Sequence, residues 1–379
     1  MNWGGWRVGS TVRKRETGTL AILGRRTQMM LAAAVVATLL AGILNAAHGN
    51  AVLLFVVAGV ALALLAALVG AATEQLGARL GPGTTGVLQS AIGNLPELFV
   101  AIFALRAGLI GVVQAALVGS ILGNSLLVLG LAFFVGGIRH GTQRFNSNAP
   151  RMMATLTMLA VAALVVPTLA NGLHTPASAH VESLSVACAV ALLLVFVASI
   201  PTSLAGGPPA VPLPTGDAEG EAERRDIWPV WLAAAVLAFA GVGAAFVSDW
   251  FVNALTPAMA TLHLSQAFTG LVVVALAGNA VENVVGVQLA ARNKPDYAIS
   301  VILNSSLQVA LGLIPALVLL SFVVGGAHLT LVLPGLLVAA LALSALIGTV
   351  IVYDGESTSL EGLILIGLYG IIAMSFWWG

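Results

Sequence analysis

The chain has 379 residues, of which 59% are hydrophobic and only 8% are charged, and its formal net charge at pH 7 is zero. With a mean hydropathy of +1.03, this composition excludes a soluble globular protein, in which about 25% of residues are charged. The even charge balance also excludes a general basic surface, so we expect no nucleic-acid partner.

The apolar runs are about 20 residues long and lack the alternation of barrel strands, so they predict membrane-spanning helices. We therefore predict an all-α polytopic membrane protein. Eleven spans are predicted, at 28–47, 51–78, 84–105, 109–137, 152–171, 179–200, 227–251, 264–290, 297–324, 329–352 and 359–378.

Residues 201–226 separate two membrane halves, because they are rich in Pro and Gly and then in acidic residues. The predicted parts are an N-terminal cytoplasmic segment, a first helix, a five-helix repeat, a cytoplasmic acidic linker and a second five-helix repeat. Their predicted limits are 1–27, 28–47, 51–200, 201–226 and 227–379.

The basic residues predict the orientation in the membrane. With a cytoplasmic N-terminus, all but one of the 15 Lys and Arg residues fall on the inner face, and Arg106 is the exception. An odd number of spans then places the C-terminus on the opposite side. We expect a multi-pass protein, in the inner cell membrane if the chain is prokaryotic.

Two polar motifs recur at a fixed offset inside apolar runs. GNLPEL begins at Gly93 and GNAVEN begins at Gly278, and subtracting the two positions gives 278 − 93 = 185. The same offset relates Ser120 to Ser305. It predicts an internal duplication, and five spans per half invert the second half relative to the first, which is the plan of many secondary transporters.

Each motif places a carboxylate at membrane depth, Glu97 in the first and Glu282 in the second. A charge at the bilayer centre costs about 2.5–3.5 kcal/mol by insertion measurements, so such residues are candidates for function. An asparagine precedes each glutamate by three residues, which places both side chains on one helix face. Glycine and proline in the motifs weaken the helix there and free backbone carbonyls.

Two carboxylates with amide, hydroxyl and carbonyl oxygens make an all-oxygen cage with two negative charges, which suits Ca²⁺. The sequence has no Cys/His cluster, so zinc or copper is disfavoured, and we expect no prosthetic group. The predicted cation ligands are Glu97, Glu282, Asn94, Asn279, Ser120, Ser305 and Gln308. The alternative for the Ser and Asn residues is that they join helices by hydrogen bonds.

Protons can compete with Ca²⁺ for the same carboxylates, because burial and mutual repulsion disfavour two empty charged groups. Alternating occupancy by Ca²⁺ and H⁺ is an antiport mechanism. The predicted proton or cation pathway contains Glu74, Asp249, Asn124 and Asn283. For Glu74 and Asp249 the alternative is an acid at a helix end in contact with water.

These motifs resemble those of the calcium/proton exchangers, a branch of the cation/calcium exchanger superfamily. The resemblance is carried by Gly93 to Gly130, by Gly278-Asn279-Ala280 with Glu282, by Ser305-Ser306 with Gln308, and by Tyr353 to Gly362. It extends over about residues 28–379. It implies eleven helices, two inverted five-helix repeats, an acidic segment between them, and Glu97 and Glu282 as central cation ligands beside Asn94 and Asn279.

The sequence departs from the family pattern at several positions. Asn283 stands where the family usually has His, which removes a group able to titrate near neutral pH. Leu95 and Pro96 stand where small residues are usual, and Asp249 replaces a usual Glu. Gly123 and Asn304 replace a usual Ser and Gly.

Other functions stay open at this stage. An exchanger of Na⁺ for Ca²⁺, or of another divalent cation, is the main alternative, although GTS-type runs are absent. A cation channel is disfavoured, because one glutamate per repeat does not supply a ring. An intramembrane enzyme is disfavoured because the sequence has no H-E-x-x-H or G-x-S-x-G motif. Oligomeric state is not indicated.

Overall fold

A computed structural model describes residues 23–80, 92–204 and 228–378. A two-stranded antiparallel sheet joins β1 (Gln143–Arg144) to β2 (Glu356–Ser357), and a 3-10 helix covers Pro176–His180. The main helices are α1 (Arg25–Ala46), α2 (Ala51–Leu80), α3 (Leu95–Arg106), α4 (Ile110–His140), α5 (Asn148–Gly172), α6 (Val181–Leu204), α7 (Val230–Leu262), α8 (Gln266–Gly278), α9 (Ala280–Ala291), α10 (Pro295–Val324), α11 (Gly335–Ile351) and α12 (Ser359–Ser375).

The all-α membrane fold is confirmed. Within the described ranges, seven helices are long and apolar enough to cross a membrane, and the bent pair α8–α9 makes an eighth if it is one span. α11 and α12 are shorter apolar helices. The count of eleven spans stays a prediction, since 84–91 of the third span lies outside the described residues. The same holds for most of the predicted segment 1–27 and linker 201–226.

The predicted end of the seventh span, at residue 251, is wrong. α7 continues through Pro257 to Leu262 and ends at His263, whose φ of 56° is left-handed. A proline removes one backbone hydrogen bond and usually bends a helix. Here Ala258 and Met259 after it are buried, so packing of the apolar face outweighs the lost hydrogen bond.

The predicted start of the tenth span, at residue 329, is also wrong. Residues 325–334 are not helical, and α11 begins after Pro334. Leu329, Leu331 and Leu333 are nevertheless buried, which explains why their hydropathy resembles that of a span. Alternate side chains face the protein, as they do in extended backbone.

The two halves share backbone details that support the predicted duplication. Asn94 has φ −93° and ψ 20°, and its counterpart in the second motif, Asn279, has φ −88° and ψ 21°. A π-helical segment interrupts α4 at Gly123–Val128, and another interrupts α10 at Val309–Leu313, at nearly the same offset. Local departures from α-helical geometry are therefore repeated along with the motifs.

α4 and α10 run in opposite directions. The segment after the end of α4 contacts Ala290 near the end of α9, through Gln143, and Asp296 at the start of α10, through Asn146. The segment after the end of α10 contacts Leu105 at the end of α3 and Gln114 near the start of α4. The end of each helix therefore lies beside the start of the other, as an inverted repeat requires.

Close approach of backbones positions the helices around the site. α4 contacts the π-helical part of α8 (Thr269–Val274), and a Cβ at Gly119 would lie 2.6 Å from Leu271 Cα. A Cβ at Gly270 would lie 2.8 Å from Ala115 Cβ. Any larger residue at these two glycines therefore forces the helices apart.

We predict that Gly119→Ala destabilises the fold. The added methyl group overpacks the contact with Leu271, which typically costs about 1–3 kcal/mol. Thermal unfolding of the purified protein in detergent measures the effect. Gly123→Ala on the same helix is the matched control, because a Cβ there meets nothing within 4 Å. Equal melting temperatures for the two variants would contradict the close approach.

Candidate functional site

Breaks in two helices form the frame of the site. α8 and the part of α9 from Glu282 onward are bent by 65° relative to each other, and the break falls at Gly278 and Asn279. Asn94 occupies the matching turn before α3, where Pro96 lies in the first helical turn. The predicted weakening of the helix is therefore observed at the second motif, whereas residues 81–91 before the first motif lie outside the described residues.

Both glutamates lie in the first turn of a short helix, Glu97 in α3 and Glu282 in α9. The unpaired N–H groups and the positive end of the helix dipole at such a position favour a negative charge. Each break therefore creates a new helix N-terminus at the carboxylate. This compensates part of the cost of placing a charge at membrane depth.

Glu97 lies beside the helix break that leads into Glu282. Glu97 lies against Gly278, where a Cβ would be 2.7 Å from Glu97 Cγ, so the glycine makes room for the carboxylate. Glu97 Oε2 is buried and has no hydrogen-bond partner among the described residues. A buried acceptor of this kind is suited to a cation or a proton.

Glu97 faces a small cavity with about 30 Å³ of free space. Ser120 and Gly278 line it beside the carboxylate. The remaining lining is apolar. It includes α3 from Val100 to Ala104 and α4 from Leu117 back to Val112, with further residues from α2, α7, α8 and α10. The cavity therefore extends from Glu97 toward the end of α3 and the start of α4.

Four predicted site residues are joined by side-chain hydrogen bonds. Asn279 Nδ2 donates to Ser120 Oγ at 3.0 Å. Asn124 Nδ2 donates to Ser305 Oγ at 2.8 Å and to Asn279 Oδ1 at 3.4 Å. Ser305 Oγ donates to the same Asn279 oxygen at 3.3 Å. The network connects both halves, since Ser120 and Asn124 belong to the first repeat and the other two to the second.

The network occupies the Asn279 oxygen that the sequence suggested as a cation ligand. Asn279 Oδ1 accepts two hydrogen bonds, so in this conformation the residue joins helices. Asn124 Oδ1 and Asn283 Oδ1 are buried and have no partner within the described ranges. Both alternatives considered for these polar residues, ligand and helix glue, therefore have structural support at different atoms.

Other predicted residues lie farther from the cavity. Asn94 and Gln308 are buried, but neither lines the cavity beside Glu97. Glu74 is exposed on α2. Asp249 is partly exposed on α7, and its Oδ2 accepts a hydrogen bond from Asn253 at 3.3 Å. The structure does not bring these two acids into the polar network.

Sequence reasoning missed one contact of the network. Ser125 Oγ and Ser306 Oγ share a hydrogen bond of 3.1 Å next to the main cluster. Both serines directly follow a predicted site residue, and that adjacency was the available signal. Across the described residues, no three His, Cys, Asp or Glu side chains form a metal-binding group. Ser120 is the member of the hydrogen-bond network that lines the cavity with Glu97.

Comparison with known proteins extends the resemblance in the motifs to most of the chain. Residues 50–204 and 232–378 match the sodium/calcium exchanger protein family. A Ca²⁺/H⁺ antiporter of Synechocystis sp. is 37% identical over an alignment of 340 residues that covers 85% of this chain and 90% of that protein. The Ca²⁺/H⁺ antiporter ChaA of Bacillus subtilis is 34% identical and covers 87% of this chain and 93% of its own length.

A solved structure agrees with these matches. The structure of native YfkE superimposes with a TM-score of 0.78 and 30% sequence identity, covering 92% of this chain and 99% of the other. Together with the matched motifs, these findings show that the chain belongs to the calcium/proton exchanger family within the cation/calcium exchanger superfamily.

Proposed function

We propose that the chain is a secondary active antiporter that exchanges Ca²⁺ for H⁺ across a membrane by alternating access. The observation that carries the proposal is that Glu97 and Glu282 each lie in the first turn of a short helix from a different half, with Glu97 packed against Gly278 at the break before Glu282. The names of the related Synechocystis and Bacillus proteins, both Ca²⁺/H⁺ antiporters, support this choice of ions. The chain therefore acts as a transporter and not as an enzyme.

Ca²⁺ and protons compete for the two carboxylates in this mechanism. Ca²⁺ takes six to eight oxygen ligands and is neutralised by two carboxylates. When Ca²⁺ leaves, protonation relieves the repulsion between the bare carboxylates. The protonated protein can then change conformation, so that the site opens again to the opposite face of the membrane. Because both ions need the same oxygens, they move in opposite directions and in separate steps.

The remaining predicted residues have supporting roles in the proposal. Asn94, Ser120, Ser305 and Gln308 supply neutral oxygens in other conformations of the site, and Asn279 does so when the network opens. Asn124 and Asn283 lie beside the carboxylates on the proton or cation pathway. Glu74 and Asp249 act at the two mouths. We further propose a cytoplasmic N-terminus and a C-terminus on the opposite face.

Sodium coupling is the second candidate, because the matched family is described as a sodium/calcium exchanger. The discriminating experiment measures ⁴⁵Ca²⁺ uptake into proteoliposomes under an imposed pH gradient, with and without a Na⁺ gradient. Uptake driven by the pH gradient alone supports the proposal. Uptake that requires the Na⁺ gradient and ignores the pH gradient would replace it with Na⁺/Ca²⁺ exchange.

We expect Glu97→Gln and Glu282→Gln each to reduce pH-driven Ca²⁺ uptake by more than about tenfold, equal to about 1.4 kcal/mol. A carboxamide keeps the shape of the side chain but supplies neither the negative charge nor the exchangeable proton. Glu182→Gln is the matched control, since that carboxylate is exposed and contacts only His328 among the described side chains. Uptake that survives Glu97→Gln would contradict the mechanism.

We expect Asn283→His to alter the pH dependence of Ca²⁺ uptake. An imidazole next to Glu282 becomes positive as pH falls through about 6.5 and then repels Ca²⁺. Uptake relative to its value at pH 8 should therefore fall more at acidic pH than in the unsubstituted protein. Asn171→His, at an exposed position in α5, is the control. Identical pH profiles for Asn283→His and the unsubstituted protein would show that a charge at position 283 does not affect Ca²⁺ binding.

A further inference from the structure

Two connecting segments occupy equivalent places in the two halves. The first strap, residues 141–147, joins α4 to α5, and the second strap, residues 325–334, joins α10 to α11. Gly141 and Gly326 are related by the offset of the motifs, since 326 − 141 = 185, and both have positive φ, 74° and 102°. The straps therefore belong to the repeat, although their sequences differ.

The first strap holds the end of the helix that carries Glu282. Gln143 Nε2 donates to the backbone oxygen of Ala290 at 3.1 Å and to Asn293 Oδ1 at 2.9 Å. Gln143 is only 3% exposed, and its amide fills the space that Gly136 leaves on α4. His140, directly before the strap, has Nε2 3.0 Å from the oxygen of Ala291. The contacts of Gln143 and His140 add side-chain hydrogen bonds to carbonyls in the last turn of α9, where Ala290 already accepts from the N–H of Asn293 at 3.0 Å.

The second strap contacts the end of the helix that carries Glu97. The N–H of Ala327 donates to the oxygen of Leu105 at 3.3 Å. A Cβ at Gly326 would lie 2.7 Å from that oxygen, so only glycine fits there. The same offset relates Leu105 to Ala290, since 290 − 105 = 185. Each strap thus binds the same carbonyl position, and it binds the helix of the opposite half.

Side chains of the helix bundle fix the second strap in an extended form. Gln114 Nε2 donates to the oxygens of Thr330 and Val332, at 3.1 and 3.0 Å. In the second strap, the N–H groups of the three buried leucines each donate to a hydroxyl oxygen. Leu329 donates to Ser321, Leu331 to Ser185 and Leu333 to Thr168. These groups are the partners that an extended segment needs when it is buried away from water.

Other contacts fix the first strap on its own face. The N–H of Phe145 donates to the oxygen of Gly355 at 2.9 Å, and the N–H of Asn146 donates to Asp296 Oδ1 at 2.7 Å. Pairing of β1 with β2 adds a connection to the segment before α12. The strap is therefore a fixed support and α9 is the element that it holds.

We propose that Gln143 is a positioning residue for Glu282, and that Gln114 has the corresponding role for Glu97 through the second strap. α9 has only 12 residues and begins at a break, so its position is set at two ends, by the Asn279 network and by the strap. A short rigid helix passes a shift at one end to the other. The assignment of Ca²⁺ and H⁺ as the transported ions rests on the proposed function. The hydrogen bonds by which the straps position α9 and α3 do not depend on it.

The test replaces Gln143 with Met, which is similar in size but donates no hydrogen bond. Ca²⁺/H⁺ exchange is measured in everted and right-side-out vesicles, which present opposite faces. We expect the apparent KM for Ca²⁺ at the face of the first strap to change at least about threefold, with little change at the other face. Gln114→Met should change the apparent KM for Ca²⁺ at the opposite face. Gln288→Met, at an exposed site on α9, is the control.

A second measurement does not depend on transport. In a Cys188→Ser background, which removes the only cysteine, Asn283→Cys reports the site by its rate of reaction with an impermeant thiol reagent. Adding Gln143→Met should raise that rate at least about threefold from the face of the first strap. If Gln143→Met does not fold, Asn293→Gly removes one acceptor of the Gln143 amide and keeps the left-handed backbone (φ 58°).

The outcomes separate the two proposals. A face-specific change in labelling, in a protein that shows no pH-driven Ca²⁺ uptake, supports the strap and refutes the antiporter. Equal changes in KM at both faces, or an unchanged labelling rate in a folded Gln143→Met protein, overturn the positioning role. A lower melting temperature with unaltered KM and labelling shows that Gln143 only stabilises the fold, and it also overturns the proposal.

Discussion

The structure depends on placing two carboxylates inside a bundle of apolar helices, each in the first turn of a short helix. Neither Glu97 nor Glu282 has an arginine or lysine beside it among the described residues, so the charges are not neutralised by an ion pair. Helix N-termini at the two breaks provide partial compensation, and an ion or protons provide the rest. The broken helices, the glycine at position 278 and the neutral polar network all follow from this requirement.

An inverted duplication supplies the two carboxylates from opposite directions, but the two halves are not identical at the site. Gly119 allows the backbone of α8 to approach α4, whereas the equivalent residue of the second half is Asn304, since 304 − 119 = 185. Asn304 Oδ1 is buried and has no partner among the described residues, as is also true of Asn283 Oδ1. Both belong to the second half and have no asparagine at the matching position of the first. The first half has its own unpartnered asparagine oxygen at Asn124, whose counterpart is Val309, since 309 − 124 = 185, so the two halves place these acceptor oxygens at different positions.

Much of the site could be predicted from the sequence, because polar residues are rare in spans and a fixed offset relates them. Glu97, Glu282, Ser120 and Ser305 were predicted in this way. Element ends were harder to predict. The predicted seventh span stopped at residue 251, whereas α7 runs past Pro257, and the leucines of the second strap have the hydropathy of a span although their backbone is extended. Gln143 gave no signal, because its burial depends on a space left by Gly136 on another element.

The state of Asn279 links ion binding to helix packing. Its oxygen accepts hydrogen bonds from Asn124 and Ser305, and its Nδ2 donates to Ser120 and to the backbone oxygen of Ala275. A cation that takes this oxygen as a ligand has to displace both donors, since an amide oxygen has two lone pairs. The donors lie on α4 and α10, which also carry the π-helical segments. In the proposed function, occupation of the site by a cation and the packing of α8–α9 against α4 and α10 compete for the same oxygen, so that bound and ion-free states have different helix contacts.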